Sequence, residues 1–92
     1  MTVYVRLYSI LRDKAGAPQL SLELPEGSRV ADLLQSLRGE GYAALGSFIT
    51  DESGELKPHV KLVEKGRLRG QDPSDPLEDG QTYDLFVLTS GG

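Results

Sequence analysis

Val3, Val5 and Leu7 alternate with Tyr4, Arg6 and Tyr8. A period of two, rich in β-branched and aromatic residues, predicts a strand over about 2–9. Leu20, Leu22 and Leu24 alternate with Ser21 and Glu23 and predict a second strand. The segment from Ile10 to Pro18 reads as a connection ending in a turn, so the two strands form an antiparallel hairpin. Pro25-Glu26-Gly27-Ser28 breaks the strand, and Ser28 is placed to act as an N-cap. Val30, Leu33, Leu34 and Leu37 then fall on one stripe of a helix over about 29–39, with Gly39 and Gly41 as stops. Tyr42 to Phe48 suggests a short second helical turn, and 50–55 a polar loop. Val60 and Leu62 place a third strand at about 58–64, followed by a turn over Glu64-Lys65-Gly66-Arg67 and a brief return strand near Leu68. Residues 71–76 are loop, Asp79-Gly80 is a turn, and Tyr83, Leu85 and Val87 alternate with Asp84, Phe86 and Leu88 as a last strand.

A helix with a single apolar stripe needs a sheet to cover it, so the pattern describes a two-layer α+β domain. The order strand–strand–helix–strand–(short strand)–strand is that of a β-grasp, the ubiquitin-like fold. One main helix packs on a mixed four- to five-stranded sheet, with the last strand parallel to the first in its middle. A single domain over 1–92 is expected, with a flexible Gly-Gly tail at 89–92.

Composition narrows the chemistry. The chain has 92 residues, which suffices for one small core. It has no Cys and one His, so disulfides, Cys-ligated zinc, iron–sulfur clusters, a Cys nucleophile and a two-His metal motif are excluded within it. Ten basic residues against 14 acidic ones argue against nucleic acid as a partner. No apolar run is long enough to span a membrane and no signal-peptide layout is present, which fits the cytoplasm. His59 has no Ser or Cys at meaningful spacing and reads as a surface or edge residue. Asp51, Glu52, Asp72, Asp75, Glu78 and Asp79 lie in turns with no metal-ligand spacing, and read as solvated loop residues. No phosphate-binding glycine motif is present, so neither a metal nor a cofactor is implied.

The informative feature is the ending Ser90-Gly91-Gly92. A carboxylate there is unreactive toward nucleophiles, because its charge repels attack and its leaving group is poor. Adenylation by ATP would make it a mixed anhydride. An activating enzyme must admit such a tail through a narrow channel, which suits residues without a Cβ.

Three stretches carry a family resemblance. Leu22-Glu23-Leu24-Pro25-Glu26-Gly27-Ser28-Arg29-Val30-Ala31-Asp32-Leu33-Leu34 is similar to a strand-to-helix motif LPEG-x-T-V-x-x-L-L; Pro76-Leu77-Glu78-Asp79-Gly80 is similar to a P-L-x-D-G-D turn; and the spacer from Gly80 to Gly91-Gly92 has the matching length. In this order they resemble the MoaD/ThiS family of ubiquitin-like sulfur carriers over nearly the whole chain. The chain departs from the family pattern at Gln81, where Asp is common, and at Val63-Glu64-Lys65-Gly66, where Val-Asn-Gly is frequent. It also has Val87-Leu88 in place of the Pro-Pro of molybdopterin-synthase small subunits, and a longer 49–59 stretch than the shortest thiamine-pathway carriers.

The resemblance implies a non-enzymatic protein cosubstrate. An E1-like adenylyltransferase would activate Gly92, a sulfur donor protein would convert it to a thiocarboxylate, and an acceptor enzyme such as a molybdopterin synthase large subunit would take the sulfur. Gly92 would host the carrier atom, with Gly91 and Ser90 as tail. Conjugation of the same activated Gly92 to lysines, and a plain interaction domain, are the competing readings. If Val3, Val5, Leu7, Leu85 and Val87 face the helix, then Tyr4, Arg6, Tyr8, Phe86 and Leu88 cluster on the outer sheet face, with Arg12 at its edge and Arg6 paired to Asp84. Tyr8, Arg12, Phe86 and Leu88 are thus candidate partner-binding residues.

Overall fold

The computed structural model describes residues 1–39, 41–64 and 72–88. β1 (Thr2–Leu7) and β2 (Gln19–Glu23) form the expected antiparallel pair, with Thr2 opposite Glu23 and Arg6 opposite Gln19. Their connection is not bare. It contains a helix, α1 (Ile10–Ala15), where the sequence pattern suggested only a turn. β1 ends at Leu7, short of the predicted limit, because Ser9 takes φ 52° and swings the chain out of the strand. Leu11 anchors α1 as its one buried residue, and Gly16, at φ 76°, closes it by donating its N–H to the Arg12 carbonyl at 2.9 Å. One buried side chain in six residues leaves no apolar stripe for periodicity to reveal.

β4 (Thr82–Val87) runs parallel to β1, with Tyr4 opposite Thr82 and Leu7 opposite Leu85. β3 (Val60–Glu64) pairs antiparallel to its other edge, with Val60 opposite Val87. The sheet order is β2-β1-β4-β3, a mixed four-stranded sheet with the last strand inside, as a β-grasp requires. The predicted turn residues beyond Glu64 and the return strand near Leu68 lie outside the described residues.

The register between β1 and β4 starts at the Asp-Gly turn. The Asp79 carboxylate accepts the Thr2 N–H at 2.8 Å, and Gly80 donates its N–H to the Thr2 carbonyl at 2.7 Å. Gly80 has φ 81°, which a residue with a Cβ adopts only under strain. The turn therefore fixes where β4 begins beside β1.

The inner face of the sheet, with Val3, Val5, Leu62, Tyr83 and Leu85 almost fully buried, is covered by α2 (Val30–Leu37). Val30, Leu33, Leu34 and Leu37 form its buried stripe as the spacing predicts. Ser28, however, is not the N-cap. Its hydroxyl donates to the Pro25 carbonyl at 2.7 Å and its N–H to the same oxygen at 3.2 Å, so it closes the turn before the helix. Arg29 holds the cap position, with its N–H donated to the Asp32 carboxylate at 2.8 Å. The next two amides, of Val30 and Ala31, donate to the carbonyls of Asp75 and Pro73, each at 2.9 Å. The 72–76 loop thus satisfies donors that a helix start otherwise leaves unpaired.

α3 (Ala43–Ile49) matches the expected second helical segment and buries Leu45 and Ile49. It crosses so near the end of α2 that a Cβ on Gly46 would lie 2.4 Å from the Leu37 carbonyl oxygen and 2.7 Å from the Arg38 Cα. Beyond it, the Asp51 carboxylate gathers the Ser53 hydroxyl at 2.7 Å and the amides of Ser53 and Glu55 at 2.9 and 3.1 Å. The 49–59 stretch is therefore a folded turn organised by Asp51, closed by the Thr50–Leu56 bridge.

Gly46→Ala is expected to lower unfolding free energy by about 2 kcal/mol in a urea titration, because the atoms it would meet are backbone and no side-chain rotation can relieve the clash. The Ser53 hydroxyl, then the Glu55 amide, hold the Asp51 carboxyl below the usual aspartate range. Its contribution to stability is therefore fully present above the usual aspartate pKa and is lost as pH falls through the lowered value. Denaturation curves recorded across this acid range should show the wild type losing stability relative to Asp51→Asn, whose side chain does not titrate there.

Candidate functional site

Because β1 and β4 are parallel, their C-terminal ends lie at the same end of the sheet. Three large apolar side chains are exposed there: Tyr8 at 40%, Ile10 at 45% and Leu88 at 53%. Leu88 donates its N–H to the His59 carbonyl at 2.7 Å, so the chain stays pinned to the β3 side one residue past β4. Ser90, Gly91 and Gly92 lie outside the described residues.

The strand alternation puts Arg6, Tyr8, Asp84, Phe86 and Leu88 on the outer face, and the described contacts tie several of them together. The Tyr8 hydroxyl donates to an Asp84 carboxylate oxygen at 3.0 Å. The Arg6 guanidinium lies over the Tyr8 ring, 5.9 Å from its centroid. Arg6 and Asp84 are opposite each other in register, yet the expected direct pair is replaced by this relay. A tyrosine reaching back along the face takes the carboxylate with a short neutral donor, and the guanidinium settles on the ring it exposes. Burial of the ring and the Asp84 hydrogen bond raise the Tyr8 pKa, with the nearby Arg6 charge opposing them.

Phe86 is half-buried, opposite Lys61 in the β3–β4 register. Arg12 is exposed on α1. No hydrogen bond or ion pair among the described residues links it to Tyr8, Phe86 or Leu88. Lys14, two positions on and roughly 200° around the helix, reaches toward α3, so Arg12 occupies the opposite flank. The structure thus brings Tyr8, Phe86 and Leu88 to one end of one face and leaves Arg12 beside it. Sequence reasoning missed Ile10, whose exposure follows from its place at the start of α1, ahead of the buried Leu11. The one available signal was a second apolar residue adjacent to Leu11, too little to specify a helix face.

A pocket of about 300 Å³ lies between Val30, Leu34, Glu55, Leu56 and Pro73, on the helix layer. Its lining includes neither Tyr8 nor Leu88. Among the described residues no group of His, Asp and Glu is arranged to hold a metal ion, and no helix is long and apolar enough to cross a membrane. This surface is an apolar patch with a buttressed tyrosine at the C-terminal end of β4.

No family model matches the chain. It is 29% identical over 94 residues to small archaeal modifier protein 3 of Haloferax volcanii, with 100% of each chain covered. The solution structure of small archaeal modifier protein 1 from Methanosarcina acetivorans is similar at 32% identity and a TM-score of 0.76, over 99% of this chain and 96% of that one. A molybdopterin converting factor subunit 1-like protein of Pyrococcus furiosus is similar at 26% identity and a TM-score of 0.73, over 97% and 99%.

The Tyr8–Asp84 contact can be checked by carbon NMR of the tyrosine ring during an alkaline titration. Asp84→Asn should bring the Tyr8 midpoint down part of the way, since the carboxylate charge goes and ring burial stays. An unchanged midpoint would mean the hydroxyl does not rest on Asp84 in solution.

Proposed function

Because the chain belongs to the ubiquitin-like family of small modifiers and sulfur carriers, we propose that its reactive group is the carboxyl of Gly92 and that it serves as a protein cosubstrate in sulfur transfer. The Gly92 carboxylate attacks the α-phosphorus of ATP on an E1-like adenylyltransferase, and pyrophosphate leaves. A sulfide-level nucleophile delivered by a sulfur donor protein then attacks the acyl carbon, AMP leaves, and a terminal thiocarboxylate remains. The thiocarboxylate sulfur then displaces a leaving group from an electrophilic carbon of a biosynthetic intermediate on an acceptor enzyme. Water cleaves the resulting thioester, leaving the sulfur on the intermediate and Gly92 as a carboxylate again. Molybdopterin synthesis is the destination we favour, in line with the Pyrococcus relative. These exchanges are placed in the cytoplasm, where ATP is available for adenylation.

The observation that carries this reading is the course of β4. It is held on both edges, by β1 and β3, and Leu88 is still pinned to His59. Only four residues of sequence, Thr89 to Gly92, then separate that anchor from the proposed reactive carboxyl. A short link from a rigid strand gives a partner one defined direction in which to find the tail. Tyr8, Phe86 and Leu88, with Arg12 alongside, form the surface on which the partner would dock, and Gly91 and Ser90 thread its channel.

The same activated carboxyl can instead acylate a lysine amine, with AMP or a carrier thiol as leaving group. The two archaeal modifier relatives favour keeping this second reading.

Intact mass spectrometry after coexpression with the adenylyltransferase and a sulfur source separates the readings. A gain equal to the difference between one sulfur and one oxygen atom, lost on deleting Gly92, supports the carrier. Lysine-linked conjugates that vanish with the same deletion support the modifier. If deleting Gly91-Gly92 changes neither product, both fail.

A further inference from the structure

On the helix layer, at the same end as Leu88, lies a second surface. The Lys14 ammonium sits over the Phe48 ring, 5.3 Å from its centroid, and the Lys57 ammonium is 5.9 Å from the same centroid. Lys57 also donates to the Ser47 carbonyl at 3.3 Å. Ile10 is one helical turn before Lys14, so both lie on one row of α1. Lys57 lies only a few residues before Val60, which pairs with Val87 at the end of β4. Ile10, Lys14, Phe48 and Lys57 therefore form a strip with an apolar spine and two cations, beside the place where the chain leaves the sheet.

Neither cation has an acidic partner among the described residues. The one ion pair among the described residues joins the N-terminal amine to Glu26, and Asp13, the acid on α1, pairs with neither lysine. That is unexpected in a chain with 14 acidic residues against 10 basic ones. Each ammonium gains from the ring face, but two like charges on one ring repel each other. An acidic surface facing the strip offsets that repulsion and gains charge-assisted contacts with the ammonium groups. Half-buried Phe48 and exposed Ile10 supply the desolvated area such a contact needs.

We propose that this strip docks an acidic surface on the enzyme that adenylates the tail. The inference rests on the function proposed above and adds to it the chemistry of the partner. Its position beside the tail root means that binding here and entry of the tail occur together. Charges at such a rim act mainly on encounter, so they tune affinity and salt dependence and leave the chemical step alone.

The test is ATP–pyrophosphate exchange with the full chain and the E1-like adenylyltransferase encoded in the same genome. For Lys14→Glu/Lys57→Glu, KM should rise roughly tenfold with kcat unchanged, and the increase of KM with added NaCl seen for the wild type should flatten. Lys14→Gln/Lys57→Gln should move KM the same way by less, which guards against a folding defect in the reversal variant, and circular dichroism monitors both. The chain lacking Gly92 should not be adenylated, yet should inhibit the wild type competitively, and more weakly once both lysines are reversed. Equal KM for wild type and both variants at low salt overturns the dock and leaves the Gly92 chemistry standing. A wild type that is never adenylated overturns both. Unchanged KM together with lysine-dependent binding to single-stranded DNA or anionic vesicles would assign the strip to phosphate and overturn the proposal.

Discussion

Two hydrogen bonds at Thr2 set the geometry of everything else. Thr2 gives its N–H to the Asp79 carboxylate and receives the Gly80 N–H on its carbonyl. These bonds start the parallel ladder of β1 and β4, and a one-residue slip there would send Tyr83 and Leu85 to the outer face. The helix layer leans on the same region. Leu77, in the same turn motif, is buried and donates its N–H to Ser28, while the neighbouring 72–76 loop receives the first amides of α2. One turn motif thus ties together both layers of the domain.

The exposed end of the sheet follows from that register. With Leu85 opposite Leu7, Tyr8 is carried past the last paired residue and bends back onto Asp84. Arg6 is then drawn over the ring it leaves exposed. The Arg6–Asp84 attraction, readable from the two strands alone, is present in the structure as three groups in sequence.

What the sequence disclosed depended on how many residues each feature used to announce itself. Strands of five or six residues with strict alternation, and the four-residue stripe of α2, were legible because burial enforces their period. α1 was not, because one buried leucine and a Ser9 turn create it. Ser28 carried a valid N-cap signal, but it lies one residue before the cap position, held by Arg29, and its hydroxyl turns back to donate to Pro25. Ile10 and the pairing of Lys14 and Lys57 on Phe48 depend on how α1 and α3 meet, which no local pattern records. Tyr8, Phe86 and Leu88 were readable as one group because strand alternation and a parallel neighbour are enough to assemble them.

The central position of β4 also governs when the domain can exist. Its ladder joins Tyr4–Leu7 to Thr82–Leu85, so the decisive contact spans most of the chain, and such topologies fold slowly. β3 pairs only with β4 in the described sheet, so it has no place to dock beforehand. During synthesis the first hairpin and α2 must wait with their apolar faces uncovered until the ribosome has released Thr82–Val87. A chain that ends before Thr82 lacks the strand shared by β1 and β3 and so cannot form the outer face on which Tyr8 meets Asp84.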